Sequence, residues 1–84
     1  MPKSNQWYVY LVCCADNSLY CGVSNNLIKR IEDHNSKKGA KYTKTRLPVV
    51  LVWSIVCENK SVALKTEYRI KQLSRKEKLE LINE

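Results

Sequence analysis

Three runs of aromatic and aliphatic residues stand out in the pattern of hydrophobic and polar positions along the chain. Their length and their content of β-branched and aromatic residues predict strands over residues 7–14, 19–23 and 49–58. The turn-forming residues 15–18 separate the first two runs, so these two strands should form an antiparallel hairpin. The third run follows Pro48 and is the longest, and we expect it to be the central strand of the sheet.

Polar residues that can cap a helix precede each helical pattern. Ser24, Asn25 or Asn26 should cap a first helix that runs to about Lys37, with Gly39 as its terminator. This helix should be followed by a basic loop, residues 38–47, that leads to the third strand.

Two further helices are predicted after the third strand. The first of them should begin at Asn59 or Ser61, and the pair Ser74 and Glu77 fits a capping box for another helix that ends near Ile82. The predicted order is therefore β-β-α-β-α-α. This order indicates an α+β fold in which three helices flank a three-stranded antiparallel sheet.

The length of 84 residues predicts one domain, which we place at residues 7–83 after a short polar leader at residues 1–6. The leader is too short for a signal peptide, and no apolar run approaches the roughly 20 residues of a membrane span. The four cysteines form no C-x-x-C pair, so a zinc site is not expected. We interpret the cysteines as small buried apolar residues in a reducing compartment, which predicts a cytoplasmic protein.

A net charge of +7 favours a polyanionic partner, which is DNA, RNA or an acidic membrane surface. The plain alternative is a basic protein whose charge only keeps it soluble. The distribution of charge favours the polyanionic partner, because the segment between positions 29 and 46 contains seven basic residues and only two acidic ones. These basic residues are Lys29, Arg30, Lys37, Lys38, Lys41, Lys44 and Arg46.

Glu67 is an anomaly, because helical spacing from Ala63 and Ile70 places it on the apolar side of its helix. A buried carboxylate is costly unless it is paired or bound to a metal ion. One hypothesis is a ligand for Mg²⁺, which takes one or two carboxylates together with water and phosphate. The other hypothesis is a carboxylate at the edge of the apolar stripe that reaches solvent or pairs with Lys71.

Arg30 and His34 lie four residues apart and so share one face of the first predicted helix. A guanidinium can hold a phosphate through two parallel hydrogen bonds, and an imidazole can move a proton near neutral pH. The plainer hypothesis is a solvated helix face, with Arg30 near Asp33 and His34 merely exposed.

Three tyrosines accompany these residues. Tyr10 and Tyr20 should face each other directly or diagonally across the predicted hairpin, either as a common aromatic pair or as phenols that orient a water molecule. Gly22, two residues after Tyr20, indicates a bulge or a close backbone approach. Tyr42 lies in the basic loop, where it is either an ordinary loop residue or a platform for a base or phosphate.

Taken in order, these residues make the chain resemble the GIY-YIG nuclease domain, and in particular its small stand-alone bacterial members. The two name-giving motifs correspond to residues 8–10 (YVY) and 20–22 (YCG). The helix signature corresponds to residues 26–30 (NLIKR). The remaining positions of the pattern correspond to His34, Tyr42 and Glu67. The resemblance covers nearly the full length and implies the β-β-α-β-α-α fold inferred above.

The resemblance implies a metal-dependent endonuclease that hydrolyses DNA phosphodiester bonds, with a role in repair or recombination. One Mg²⁺ or Mn²⁺ ion would be held by Glu67, Arg30 would neutralise the phosphate, and Tyr20 or Tyr10 would position the attacking water. His34 and Tyr42 would assist by hydrogen bonding or proton relay. Structured or branched DNA is the expected substrate, and a protein partner could supply specificity. The residues expected to contact its phosphates are Lys29, Lys37, Lys38, Lys41, Lys44, Arg46 and Lys71.

The chain departs from the family pattern at several positions. Tyr8 replaces the glycine of the first motif, Cys21 replaces the isoleucine of the second, and Val23 stands where some relatives carry lysine. The asparagine that several relatives carry downstream of the glutamate is also missing. These departures support an alternative hypothesis, in which the chain is a nucleic-acid-binding module with little or no catalysis. A weaker alternative is a basic adaptor that docks on an acidic protein.

Overall fold

The computed structural model describes residues 6–84. It contains strands β1 and β2, helices α1 and α2, strand β3, and helices α3 and α4. Their bounds are Trp7–Cys13 (β1), Leu19–Ser24 (β2), Leu27–Asn35 (α1), Lys41–Lys44 (α2), Val50–Cys57 (β3), Lys60–Lys71 (α3) and Arg75–Ile82 (α4). The α+β prediction and the order of the main elements are confirmed, and α2 is a single extra turn within the predicted basic loop. The predicted leader lies outside the described residues except for Gln6, and the predicted domain bounds of 7–83 stay a prediction.

The three strands form one antiparallel sheet in the order β2-β1-β3. The prediction that the third strand is central was therefore wrong, because β1 occupies that position and β3 lies at an edge. In this sheet the central strand is covered on both faces, because residues 9–12 of β1 are all fully buried. The run in β3 is longer, but Val50 and Val56 are 62% and 51% exposed. The length of an apolar run thus did not indicate which strand is covered.

Alternation of side chains along β1 divides the interior into two halves. On the side that we call the α3 side, Val9 and Leu11 pack with Cys21, Cys57, Ala63 and Ile70. On the opposite side, which we call the α1 side, Tyr10 and Val12 pack with Cys14, Val49, Tyr20, Leu27, Ile31 and Leu47. The α3 side is closed by α3 and α4, and the α1 side is closed by α1 and the loop that contains α2.

The helix ends show which capping predictions hold. Asn26 caps α1, Asn59 caps α3, and the capping box of Ser74 and Glu77 is present at the start of α4. Helix α1 ends at Asn35 rather than near Lys37. Gly39 is not its terminator, because the residue with left-handed backbone geometry after this helix is Lys37, at φ 67°. The reason for a glycine at position 39 lies instead in the packing around His34, which is described below.

Several further features bear on function. All four cysteines are free thiols, and Cys14, Cys21 and Cys57 are buried. Within residues 6–84, no helix has the length and apolar character that crossing a bilayer requires. In the same part of the chain, no three His, Cys, Asp or Glu side chains gather as a set that could hold a metal ion.

Candidate active site

A buried hydrogen-bonded row of side chains forms the centre of the α1 side. The hydroxyl of Tyr10 lies 2.8 Å from Nε2 of His34, and Nδ1 of His34 lies 2.8 Å from Oγ1 of Thr43. The Thr43 hydroxyl in turn donates to the carbonyl oxygen of Ala40 at 2.9 Å. Tyr10, His34 and Thr43 are all fully buried. Each buried polar side chain therefore has a partner, as burial requires.

The only two glycines of the chain lie against this row. A Cβ at Gly22 would collide with the hydroxyl and ring of Tyr10, which explains the glycine opposite Tyr10 in the β1–β2 register. A Cβ at Gly39 would lie 2.8 Å from Cα of His34 and closer still to its ring. Neither glycine has positive φ, so both provide room rather than backbone freedom. The predicted close approach at Gly22 is confirmed, and the strand pairing is regular there.

Burial sets the protonation states of the row. Burial raises the pKa of Tyr10 above its usual 10, and the positive charge of the nearby Arg30 opposes this rise. Burial also lowers the pKa of His34 below its usual 6.5, Arg30 lowers it further, and Asp33 opposes the change. At neutral pH the row therefore contains a protonated phenol and a neutral imidazole.

An aromatic stack leads from this row to the surface. The ring of Tyr20 meets that of His34 edge to face at 5.6 Å, and it stacks on Tyr42 at 5.8 Å. The guanidinium of Arg46 lies 4.0 Å from the centre of the Tyr42 ring and also pairs with Asp16. Arg46 thereby fastens the basic loop to the β1–β2 turn and holds Tyr42 in place.

Glu67 occupies a different position from the other candidate residues. It lies on α3, its side chain is 18% exposed, and its carboxylate pairs with Lys71 at 3.4 Å. Its charge is felt at Cys21, since burial and then Glu67 raise the pKa of this thiol to about 11, against the opposing charges of Lys71 and Lys78. Cys21 precedes Gly22 and follows Tyr20 in β2, which is an edge strand. Glu67 and Tyr20 therefore flank the same strand from its two faces.

The structure thus brings five of the six predicted catalytic residues together on the α1 side, namely Tyr10, Tyr20, Arg30, His34 and Tyr42. No hydrogen bond or ion pair among the described residues joins Glu67 to this group. The pairing with Lys71 is the one that the plainer hypothesis for Glu67 expects.

Helix α1 does not present the solvated face that the plainer hypothesis for Arg30 and His34 describes. His34 is buried rather than exposed, and Asp33 pairs with Lys29 at 3.3 Å rather than with Arg30. The face that carries Arg30 and His34 is therefore turned toward the sheet.

The two tyrosines of the hairpin are diagonal neighbours. Tyr10 is opposite Gly22 in the β1–β2 register, and Tyr20 is opposite Val12. The ring of His34 meets both phenol rings edge to face, so the two tyrosines are joined through the imidazole.

The predicted nucleic-acid contacts fall into two groups. Lys29, Arg46 and Lys71 form exposed or half-exposed ion pairs with Asp33, Asp16 and Glu67. The side chains of the second group are exposed and have no acidic partner among residues 6–84; they are Lys37, Lys38, Lys41 and Lys44. This second group surrounds Tyr42 in sequence and supplies the unpaired positive charge of the surface.

Sequence reasoning missed Thr43 and Asn35. Thr43 lies beside Tyr42 in the basic loop, and no periodic pattern marks it as buried. The Asn35 amide donates to the carbonyl of Val49 at 3.1 Å and accepts from its N–H at 2.8 Å. It thereby joins the end of α1 to the residue before β3. The one sequence signal in this segment is Gly39, five residues after His34. Because the chain has only two glycines, a glycine at this position indicates close packing.

The comparison with protein families identifies the class of protein. The family model of the GIY-YIG catalytic domain matches residues 6–80, which include every predicted catalytic residue. The chain therefore belongs to the GIY-YIG family, whose catalytic domain defines a superfamily of nucleases.

Its relatives belong to a set of small bacterial proteins. UPF0213 protein SH2523 of Staphylococcus haemolyticus is 56% identical over 77 residues, which cover 92% of this chain and 94% of that protein. UPF0213 protein YsiG of Lactococcus lactis is 52% identical over 79 residues, covering 93% and 76% of the two chains. The solution structure of UPF0213 protein BH0048 from Bacillus halodurans matches with a TM-score of 0.60 and 41% identity, covering 93% and 83%.

Proposed function

We propose that this protein is a metal-dependent endonuclease that hydrolyses phosphodiester bonds of DNA. The observation that carries the proposal is the assembly of Tyr20, Arg30 and His34 around Tyr10, next to a loop rich in unpaired lysines. Phosphodiester hydrolysis needs a cation for the phosphate and groups that orient water, and this assembly offers both. Membership of the GIY-YIG family adds the expectation that these groups act on DNA.

Tyr10 and Tyr20 differ in their access to a water molecule that could attack the phosphate. Tyr10 is fully buried and hydrogen-bonded to His34, so its hydroxyl has no route to a water molecule on the surface. Tyr20 is only partly buried, and Tyr42 is 40% exposed. We therefore assign the orientation of the attacking water to Tyr20, and a supporting role to Tyr10 and His34.

A divalent ion, Mg²⁺ or Mn²⁺, fits the carboxylate of Glu67. This side chain is mostly buried yet reaches the surface, and its only ionic partner among the described residues is Lys71. A single carboxylate suits Mg²⁺, which completes its shell with water and phosphate oxygens. Bound there, the ion would supply charge stabilisation for the leaving oxygen. Arg30 would neutralise the phosphate from the α1 side of the same edge strand.

DNA binding in this proposal rests on charge. Lys37, Lys38, Lys41 and Lys44 have no acidic partner to displace among residues 6–84, so they can meet phosphates directly. Contacts to phosphates position a duplex without selecting its sequence. Selection would come from the shape of branched DNA or from a protein partner, as in repair or recombination in the cytoplasm.

One observation favours a second candidate function. Glu67 pairs with Lys71 and lies across β2 from the tyrosines, so binding without turnover is consistent with the same surface. The chain would then be a nucleic-acid-binding module on a nuclease scaffold.

Cleavage assays separate the two candidates. Purified protein is incubated with supercoiled plasmid and with single-stranded, duplex, flap and junction DNA, with Mg²⁺, with Mn²⁺ and with chelator. We expect metal-dependent nicking that falls about 100-fold or more in Glu67→Ala and in Arg30→Ala. The matched controls are Glu80→Ala and Arg69→Ala, which remove the same charges from exposed helix positions.

Cleavage at the wild-type rate in both Glu67→Ala and Arg30→Ala would refute the assignment of the site. Salt-sensitive binding with no product under either metal would establish the binding module instead.

A further inference from the structure

The buried row on the α1 side has a defined direction, because its Ala40 end is chemically fixed. The carbonyl oxygen of Ala40 can only accept a hydrogen bond. The hydroxyls and the ring N–H of the row must therefore all donate in the same direction, from Tyr10 toward Ala40. The positive charge of Arg30 lies near the Tyr10 end of the row.

The direction determines the tautomer of His34. Thr43 has one hydroxyl proton and gives it to Ala40, so its oxygen is free to accept from Nδ1 of His34. Nδ1 then carries the proton of the neutral imidazole, and Nε2 accepts from the Tyr10 hydroxyl. The lone pairs of the phenolic oxygen remain available to Arg30.

We propose that Thr43 is a positioning residue of the site, which holds His34 as the Nδ1–H tautomer and through Tyr10 fixes the guanidinium of Arg30. The tautomer follows from the hydrogen bonds alone. The consequence for catalysis rests on the nuclease function proposed above, in which Arg30 meets the phosphate.

Reversing the direction of the row would create a conflict. Without an acceptor at position 43, the proton of His34 moves to Nε2, which then donates to the Tyr10 oxygen. The phenolic proton would then turn away from His34 toward the positive charge of Arg30, which is an unfavourable arrangement. Because Tyr10 and His34 are fully buried, water cannot enter to relieve this conflict. Arg30 would have to move away from Tyr10.

The tautomer can be read directly in the free protein. His34 is the only histidine, so ¹⁵N-labelled imidazole gives one set of long-range ¹H–¹⁵N NMR correlations. Spectra are recorded at pH 7 without DNA or metal. We expect a protonated Nδ1 and an unprotonated Nε2 in the wild type.

Three variants test the role of the Thr43 hydroxyl. Thr43→Val keeps the shape and removes the acceptor, so it should shift His34 to the Nε2–H tautomer. Thr43→Ser keeps a hydroxyl and should restore Nδ1–H. The matched control is Thr66→Val, which removes a hydroxyl that donates to Val62 within α3, away from His34.

A kinetic measurement connects the tautomer to Arg30. With the DNA substrate that the wild type cleaves, Thr43→Val should lower kcat by about 10- to 100-fold, because a small displacement of a positioned group costs this much, while KM changes little. Thr43→Ser and Thr66→Val should stay close to the wild-type kcat.

The outcomes are distinct. A wild-type His34 that is protonated at Nε2, or is an imidazolium at pH 7, would overturn the proposal, as would a Thr43→Val spectrum with the wild-type tautomer. If Thr43→Val does not fold, the wild-type and Thr43→Ser spectra decide, since both must show Nδ1–H. If the tautomer shifts as expected but no protein cleaves DNA, the assignment of Thr43 stands and the nuclease proposal fails.

Discussion

The two sides of strand β1 are built on different principles. On the α3 side, Val9 and Leu11 pack against Ala63 and Ile70 in an ordinary apolar core. On the α1 side, the neighbouring position Tyr10 carries a phenol that is bonded to an equally buried His34. One strand thus supports a nonspecific hydrophobic interior and a directional polar one.

The difference separates stability from site geometry. Apolar packing tolerates exchange of similar side chains, whereas a buried polar row requires each donor to meet an acceptor. The α3 side should therefore contribute most of the free energy of folding. The α1 side should contribute less to stability, but the hydroxyl oxygen of Thr43 on that side determines how the candidate active site is arranged.

The largest effect on stability is expected from the α3 side. Leu11→Ala removes a fully buried side chain from the centre of this core, and it should lower the free energy of unfolding by about 2–5 kcal/mol. Urea unfolding followed by circular dichroism measures the change. Leu79→Ala, at a partly exposed position of α4, is the matched control. Equal losses in both variants would contradict the central role of Leu11.

A smaller effect is expected from a methyl group added to the α1 side. In Gly39→Ala, the new Cβ meets the backbone and ring of His34, so the loop must shift, at a cost of about 1–3 kcal/mol. The His34 NMR correlations should move as well, because the bond to Thr43 is strained. Ser36→Ala, at an exposed position before the same loop, should leave both stability and spectrum unchanged. A fully stable Gly39→Ala protein with wild-type His34 correlations would show that position 39 does not need glycine.

The smallest effect concerns pH. Folding lowers the pKa of His34 from its usual 6.5, so below this pH the unfolded chain takes up the proton first. Stability should therefore fall as the pH drops from 6.5 toward the native pKa of His34, by at most about 1.4 kcal/mol per pH unit. Urea midpoints between pH 7.5 and 5 measure this slope. His34→Gln removes the only imidazole and should flatten it. An equal slope in both proteins would assign the pH dependence to other groups.

Much of the fold could be predicted because it depends on local chemistry. Caps such as Asn59 and the box of Ser74 and Glu77 act within one helical turn, and the turn after β1 acts within a few residues. The position of β3 at the sheet edge could not be predicted in this way. It depends on which strand the helices cover from both sides, and this is a property of the assembled chain.

The site could be predicted only in part for the same reason. Family motifs marked Tyr10, Tyr20 and His34, and the structure brings them into contact. Thr43 is a common loop residue whose importance arises only when α2 folds back onto α1. The relation of Glu67 to the phenols likewise depends on which face of β2 each helix covers.

The edge position of β3 also bears on how the protein behaves at high concentration. Residues 50–57 carry no charge, Val50, Ile55 and Val56 are exposed, and the outer edge of β3 pairs with no other described strand. Such an edge invites copies of a protein to associate, and a net charge of +7 opposes this by mutual repulsion. The lysines that suit a phosphate backbone therefore also keep the molecules apart, and salt or a bound polyanion weakens that protection.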